Sequence, residues 1–180
     1  MMRRMTLASL ALLLSGAPAA AETKFQLTGE NTTIEFTGHK ADGKHDGGFK
    51  ELKGTLVVEG TDLTTAAFDL VIDTNSLHSD NPKLTAHLKS PDFFGVRKNP
   101  TARFVSRKVE KTEDGYRVTG DLTLCGTTKS ISFPAKMSLT GGTFTLSSAF
   151  RINRADFGMT YGEGRVNNEV DLRVKVSAKR

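Results

Sequence analysis

The sequence predicts an all-β protein built mainly from eight long antiparallel strands. Apolar residues recur at every second position along most of the chain, which is the spacing that places side chains on one face of a strand. Glycine-containing turns such as Gly141-Gly142 separate these runs, so successive strands are expected to be antiparallel neighbours. Residues 79–94 are the long exception to the alternation, and they predict a short helix.

Within the predicted strands, one proline and one glycine-rich stretch need separate treatment. Pro134 cannot donate a backbone hydrogen bond, so its run is expected to lie at an edge or to contain a bulge. The stretch 43–48 is rich in glycine and predicts a flexible loop between strands. The eight long strands are predicted around residues 34–36, 56–58, 68–72, 102–104, 118–124, 131–139, 144–152 and 170–176, after a short lead-in at residues 25–27.

The segment that breaks the alternation has the features of a helix. Pro82 suits the first helical position, because its φ is already helical and the N–H that it lacks would have no partner there. Leu84 and Leu88 are four residues apart and share one face. We predict a short helix that ends before Pro91 and lies across one end of the strands.

Eight strands that are apolar on one face only can bury those faces either as two packed sheets or as one closed sheet. Closure removes the sheet edges, and an interior of about eight strands holds either side chains alone or one small ligand. The residues alone leave open whether the interior is a solid core or a cavity. The predicted interior side chains are Ile34, Phe36, Phe68, Leu70, Phe104, Val118, Leu122, Phe133 and Phe150.

The chain begins with the features of an export signal. Arg3 and Arg4 precede an apolar run at 5–14, and Pro18 with the alanines at 19–21 provides the small residues of a cleavage site. We predict cleavage after Ala21, a signal peptide at 1–21, one domain at 22–180 and a periplasmic or secreted protein. Without the leader, 25 minus 2 basic residues face 20 acidic ones, a formal charge of +3. We expect no nucleic-acid partner.

Catalytic and metal-binding signals in the chain are weak. His39, Asp42, His45 and Asp46 lie close in sequence, but the interleaved lysines at 40 and 44 oppose a cation. The sequence has no Gly-x-Ser-x-Gly turn, and its single cysteine, Cys125, lies in a turn. We therefore expect no cofactor, no metal and no catalysis.

Three blocks of sequence resemble the YceI-like family of lipid- and polyisoprenoid-binding proteins. The first is L-T-A-H-L-K-S-P-D-F-F at 84–94, followed by N-P-T-A-R-F at 99–104. The second is G-D-L-T-L-C-G-T-T-K at 120–129, and the third is I-N-R-A-D-F-G-M at 152–159. Where many members of the family have Lys-His after the first long strand, this chain has His39-Lys40.

The resemblance implies a lipocalin-like antiparallel barrel, with its short helix near one mouth, that holds a long apolar chain such as an isoprenoid, a quinone or a fatty-acid derivative. The helical segment would then cover the mouth, and Arg154 is the strongest candidate to hold a polar head group because guanidinium donates two parallel hydrogen bonds. A transient contact with a membrane surface and a homodimer are left open. The predicted ligand-binding residues are Phe36, Phe68, Phe104, Phe133 and Phe150 in the strands, Leu84, Leu88, Phe93 and Phe94 in the cover, Phe157 in the third block, and His39, His87 and Arg154 at the polar end.

Two other functions are compatible with the residues. One is a metal-dependent or hydrolytic activity at the barrel mouth, which would use His39, His45, His87 and Asp92. The other is a solid barrel that acts only through its surface as an interaction module.

Overall fold

A computed structural model describes residues 21–180, and within them the chain forms eleven antiparallel strands and one α-helix. The predicted all-β class is therefore confirmed. Apart from Ala21, the predicted signal peptide lies outside the described residues. The elements are β1 (Glu22–Thr28), β2 (Thr32–Lys40), β3 (Gly43–Phe49), β4 (Leu52–Glu59), β5 (Asp62–Asp73), β6 (Leu77–Ser79), α1 (Pro82–Lys89), β7 (Thr101–Thr112), β8 (Gly115–Leu124), β9 (Thr127–Thr140), β10 (Thr143–Asn153) and β11 (Val166–Lys179), with short 3₁₀ turns at Thr74–Ser76 and Arg154–Phe157.

All the strands belong to one sheet, in the order β1-β4-β5-β7-β8-β9-β10-β11-β2-β3-β6. The two ends of this sheet are joined by the chain itself, because β3 continues into β4 and β5 continues into β6 through the first 3₁₀ turn. At this junction the Asp73 amide donates to the Glu51 carbonyl at 3.0 Å, and the Glu51 amide donates to Ser76 Oγ at 2.9 Å. The sheet is therefore curled into a barrel-like shape.

The predicted number of strands is wrong. Eight long strands and one short lead-in strand were predicted, whereas the described residues form eleven strands. The lead-in is β1, and the two strands that sequence analysis missed are β3 and β6. Each is the continuation of a predicted strand beyond a bend: β3 precedes β4, and β6 follows β5. Periodicity does not reveal them, because β6 has only three residues and β3 is rich in glycine.

The stretch 43–48, predicted as a flexible loop, is most of strand β3. Its glycines are needed for close approach rather than for flexibility. A Cβ at Gly47 would lie 2.8 Å from Cε2 of Phe36 and 2.6 Å from the carbonyl oxygen of His78. A Cβ at Gly48 would lie 2.6 Å from the carbonyl oxygen of Ile34, so neither position has room for a side chain.

The predicted helix is confirmed as α1. Asn81 caps it by accepting hydrogen bonds from the amides of Lys83 and Leu84, and Pro82 occupies the first turn. The helix ends at Lys89, before Pro91. No helix in the described part of the chain has the length and apolar character needed to cross a membrane.

The irregularity predicted at Pro134 is also present. On the β10 side, β9 is paired from Lys136 to Thr140, so the ladder ends before Pro134. The Ser148 hydroxyl donates instead to the Pro134 carbonyl. The β9–β10 ladder is thus interrupted where the proline has no hydrogen bond to give.

One end of the barrel has a solid core. The rings of Phe25 and Phe144 lie 5.9 Å apart, and Phe68 meets Phe144 at 6.1 Å. Phe25, Phe144, Leu56 and Val58 are at most 1% exposed. Burying each such side chain stabilises the fold by roughly 1.5–3 kcal/mol.

Candidate ligand cavity

The other end of the barrel contains an apolar cavity of about 210 Å³. Its walls are the inward-facing side chains of the strands, and its cover is the segment from the end of α1 to Phe94. Among the described residues, the polar side chains in its lining are those of Thr32, Arg154 and Asn167. The interior is therefore solid at one end and hollow at the other, rather than wholly one or the other.

Nine of the thirteen residues predicted to bind a ligand line this cavity. They come from strands β2, β5, β7, β9 and β10, from the covering segment and from the second 3₁₀ turn. The lining members of the predicted set are Phe36, Phe68, Leu88, Phe93, Phe94, Phe104, Phe133, Phe150 and Arg154.

Three aromatic rings form a continuous strip along one wall. Phe133 is stacked on Phe150, with ring centroids 4.4 Å apart and planes within 11°. Phe104 meets Phe133 at 5.6 Å. Because these rings have no polar atoms, the strip provides an unbroken surface for an apolar chain.

The two aromatic residues of the covering segment, Phe93 and Phe94, are both held in place by contacts with other parts of the protein. Phe94 packs edge-on against Phe49 at 5.7 Å, and its amide donates to the Leu88 carbonyl at 3.0 Å. The Cys125 thiol lies 3.6 Å from the Phe93 carbonyl, and burial raises the pKa of this thiol. Leu84, on the first turn of α1, is half-buried but lies outside the cavity lining, so its predicted contact with a ligand is not supported by its position.

An aromatic cluster closes the outside of the mouth. His87 meets Phe93 at 5.1 Å and Tyr161 at 4.7 Å, and Phe93 meets Tyr161 at 5.3 Å. His87 Nε2 also lies 2.9 Å from a carboxylate oxygen of Asp92. His87 therefore covers the mouth from outside and does not line the cavity. Sequence analysis missed Tyr161, which is 47% exposed and lies in a loop without strand periodicity.

Arg154 is 4% exposed and lines the cavity at the end near Asn167. Its guanidinium donates to four backbone carbonyls, those of Met159, Tyr161, Val166 and Asn167, at 2.8–3.1 Å. These bonds leave one of its five N–H groups unused. The guanidinium therefore organises the loop before β11 through backbone oxygens rather than through a carboxylate.

The charge of Arg154 is unusual because of where it lies. Among the described residues, no carboxylate forms an ion pair with it. Burial lowers the pKa of the guanidinium, while the more distant charge of Glu163 acts in the opposite direction. A buried cation with backbone dipoles as its main partners favours an anionic or strongly dipolar group nearby.

Two predicted residues lie elsewhere for clear structural reasons. Phe157 is 2% exposed and packs in the core beside the second 3₁₀ turn. His39 lies on the outer face of β2, because alternate residues of a strand face opposite sides and Phe36 and Gly38 face inward. There its Nε2 atom is 2.7 Å from a carboxylate oxygen of Asp171.

The side chains suggested for catalysis at the mouth do not converge. His39, His45 and His87 pair with three different aspartates, Asp171, Asp80 and Asp92. In residues 21–180, no three His, Cys, Asp or Glu side chains group together as a metal site would require.

Some residues that line the cavity were not predicted to bind a ligand, although they belong to the alternating pattern that predicted their strand. Val170, Leu172, Val174 and Val176 of β11 face the cavity with the same parity that predicted the strand. Gly38 and Asn167, by contrast, gave no signal, because neither is an apolar residue in a regular run.

A curled antiparallel barrel with an apolar lumen and a covered mouth belongs to the class of lipocalin-like barrels, whose interior has room for one small ligand. More particularly, the chain belongs to the YceI-like family, because the YceI-like domain model matches residues 25–178. The resemblance seen in the three sequence blocks is thereby confirmed.

Curated relatives and solved structures agree with this assignment. A UPF0312 protein of Pectobacterium atrosepticum is 31% identical over 98% of this chain and 96% of the relative. Protein YceI of Salmonella newport is 32% identical over 95% of this chain and 93% of the relative. The crystal structure of Burkholderia cenocepacia BcnA has a TM-score of 0.73 at 22% identity, covering 82% of this chain and 96% of that one.

A further structural neighbour is described as a polyisoprenoid binding domain from Saccharophagus degradans. Its TM-score is 0.67 at 14% identity, and the match covers 89% of this chain and 98% of that chain. The TM-score shows that the two chains share a fold.

Proposed function

We propose that this protein is an exported lipid-binding protein that sequesters or carries one elongated apolar ligand, without catalysing a reaction on it. The ligand class is a polyisoprenoid, a quinone or a fatty-acid derivative. The observation that carries the proposal is the cavity of about 210 Å³, whose walls are apolar apart from three side chains. The polyisoprenoid-binding description of the Saccharophagus degradans neighbour supports the same ligand class.

The driving force is removal of the ligand chain from water. Each buried methylene contributes about 0.8 kcal/mol. Association costs at least about 4 kcal/mol, so several buried methylenes are needed before binding becomes favourable. The strip of Phe104, Phe133 and Phe150 offers a surface long enough for such a segment.

The size of the cavity indicates how a long ligand would fit. An apolar cavity of about 150 Å³ holds a molecule of the size of benzene. The 210 Å³ present here therefore accommodates a segment of a long chain, with the covering segment in its described position. A longer chain enters when the cover formed by Leu88, Phe93 and Phe94 moves outward, and this cover acts as a lid.

We propose that the polar end of the ligand lies beside Arg154. The guanidinium has one N–H group to spare and no carboxylate partner among the described residues. A phosphate, carboxylate or carbonyl oxygen would complete its hydrogen bonding. His39, on the outer face, is excluded from this role by its position.

Export forms part of the proposal. The leader at 1–21 is expected to direct the chain to the periplasm or outside the cell, where a carrier of apolar molecules shields them from water between membranes. Transient contact with a membrane surface would then deliver or collect the ligand. Cell fractionation of the full-length chain with a C-terminal tag checks this step: a shortened protein in the exported fraction is expected, and an uncleaved protein in the cytoplasm contradicts it.

The ligand itself is tested by mass spectrometry. The protein is purified without detergent, and lipids are extracted and identified, with Phe150→Asp as a matched control. We expect about one elongated lipid per wild-type chain and little from the control, because an unpaired carboxylate in the lumen is strongly unfavourable beside an apolar chain. A wild-type protein that is lipid-free and takes up no added prenol or fatty acid contradicts the proposal.

A further inference from the structure

The barrel wall contains several inward-facing glycines, and most of them are explained by what lies against them. A Cβ at Gly120 would lie 2.6 and 2.7 Å from ring atoms of Phe104. At Gly47 the same space is taken by the ring of Phe36, its cross-strand partner. At Gly54 the backbone of Leu70 is only 2.9 Å away. In these places the protein itself fills the missing side-chain volume.

Gly38 is different. It lines the cavity, but a Cβ built on it would meet nothing within 4 Å. Its φ is not among the positive values that favour glycine, so its backbone conformation accepts any L-residue. Neither close packing nor backbone geometry therefore requires glycine at this position.

Glycine inside a strand normally weakens it, and one reason to find it there is the close approach of a ligand. The surroundings of Gly38 fit this reason. Gly38 is paired with Val170, and beyond this pair the register between β2 and β11 jumps to Lys40 and Val166. The irregular part of β11 carries the Val166 and Asn167 carbonyls that bind Arg154, so Gly38 lies at the same end of the cavity as the guanidinium.

We propose that Gly38 is a specificity-determining position of the cavity, where the bound chain packs directly against bare backbone on its way past Arg154. This inference rests on the proposed lipid-binding function. The ligand atoms take the volume that a side chain at position 38 would fill. A side chain there would shorten the cavity from its polar end, and its Cβ would meet no other atom of the protein within 4 Å.

The inference is tested with Gly38→Ala and Gly38→Val in the purified, delipidated protein. The probe is cis-parinaric acid, a fluorescent straight-chain fatty acid. Gly38→Val should weaken probe binding by about tenfold, since overfilling a packed site typically costs about one decade in affinity. Gly38→Ala should give a smaller loss, because it adds one methyl group.

Thr33→Val is the matched control, because Thr33 is an exposed residue of the same strand. It exchanges one β-branched residue for another outside the lumen, and the variant should bind the probe like the wild type. The Tm of both Gly38 variants should be equal to or above that of the wild type, since the added atoms meet open space and glycine is unfavourable in a strand.

The two possible failures are distinguishable. If the wild type binds the probe and both Gly38 variants bind it equally well, the inference is overturned while the lipid-binding proposal stands. If the wild type and Thr33→Val bind neither the probe nor an added prenol, the proposed function fails, and the role of Gly38 fails with it.

Discussion

The two ends of the barrel interior follow the same alternating pattern in sequence but differ in packing. At one end, β1 brings Phe25 against Phe144, and the core is filled. At the other end, the lid provides Leu88, Phe93 and Phe94, and these leave a cavity against Phe104, Phe133 and Phe150. Alternation therefore specifies which side chains face inward, whereas the elements that cap each end decide whether the inside is solid or hollow.

The largest expected effect is at the filled end. Phe144→Ala should lower the free energy of unfolding by about 3–5 kcal/mol, because it leaves a cavity in a close-packed core. Denaturant unfolding measures this loss, and affinity for cis-parinaric acid should be unchanged at temperatures where the variant is folded. A strong loss of probe affinity in the folded variant would show that the filled end also holds ligand.

Arg154→Gln should have the next largest effect on stability. It removes several charge-assisted hydrogen bonds to backbone carbonyls, and the expected loss is about 2–3 kcal/mol in the free energy of unfolding. If the guanidinium also holds a head group, affinity for a prenyl phosphate should fall more than affinity for the matching prenol. Equal losses for the two ligands would assign Arg154 to the loop alone.

At the hollow end, Phe150→Ala should have the opposite effect to Phe144→Ala: it should reduce ligand affinity more than it reduces stability. The ring already borders empty space, so the loss of stability should be clearly smaller than for Phe144→Ala, which lies in the same strand. Affinity for cis-parinaric acid should fall by about tenfold, because a stacked contact surface is removed. Equal stability losses for the two variants would contradict the distinction between the ends.

The lid should be less stable than the strands around it. Hydrogen exchange in residues 84–94 of the lipid-free protein is expected to be faster than in β8 and β9, and to slow when lipid binds. The buried core of the lid is small, since no residue of α1 is fully buried. Exchange as slow as in the strands, and unchanged by lipid, would identify the segment as a fixed plug.

The smallest expected effect on stability is at Asp171, which lies on the outer face of the barrel. Arg151 and then His39 bind Asp171 and hold the pKa of its carboxyl below the usual value of 3.8. A lowered folded pKa means that the ionised carboxylate stabilises the fold above the unfolded pKa, and that this contribution is lost as pH falls through the folded pKa. The Tm of the wild type should exceed that of Asp171→Asn at neutral pH, and the difference should disappear in strong acid. Probe affinity at neutral pH should be the same in both, since Asp171 is outside the lumen.

Particular residues show how far sequence reasoning reached. Strict alternation identified the strands that carry Phe68, Phe104, Phe133 and Phe150 and placed all four on the cavity side. The same rule places His39 on the outer face of β2, so its prediction as a head-group residue contradicted the alternation itself. Strand β3 was missed because Gly47 and Gly48 resemble a loop, and only the rings and carbonyls of neighbouring strands explain them.

The presence of a cavity at one end of the barrel could not be predicted from the sequence. Whether Phe150 borders a solid core or a cavity depends on the volume left between the lid and the wall, which is a property of tertiary packing. The bonding of Arg154 likewise depends on a loop folding back to present its carbonyls, and no sequence periodicity encodes such a loop.

A crystal structure of the protein purified with its lipid would show whether the ligand occupies the hollow end of the barrel. We expect one elongated electron-density feature along Phe104, Phe133 and Phe150, which passes Gly38 and has its polar end beside Arg154. We expect no ligand density between Phe25 and Phe144. Lipid bound only on the outer face, or a lumen filled by rearranged side chains in crystals of protein shown to carry lipid, would contradict this expectation.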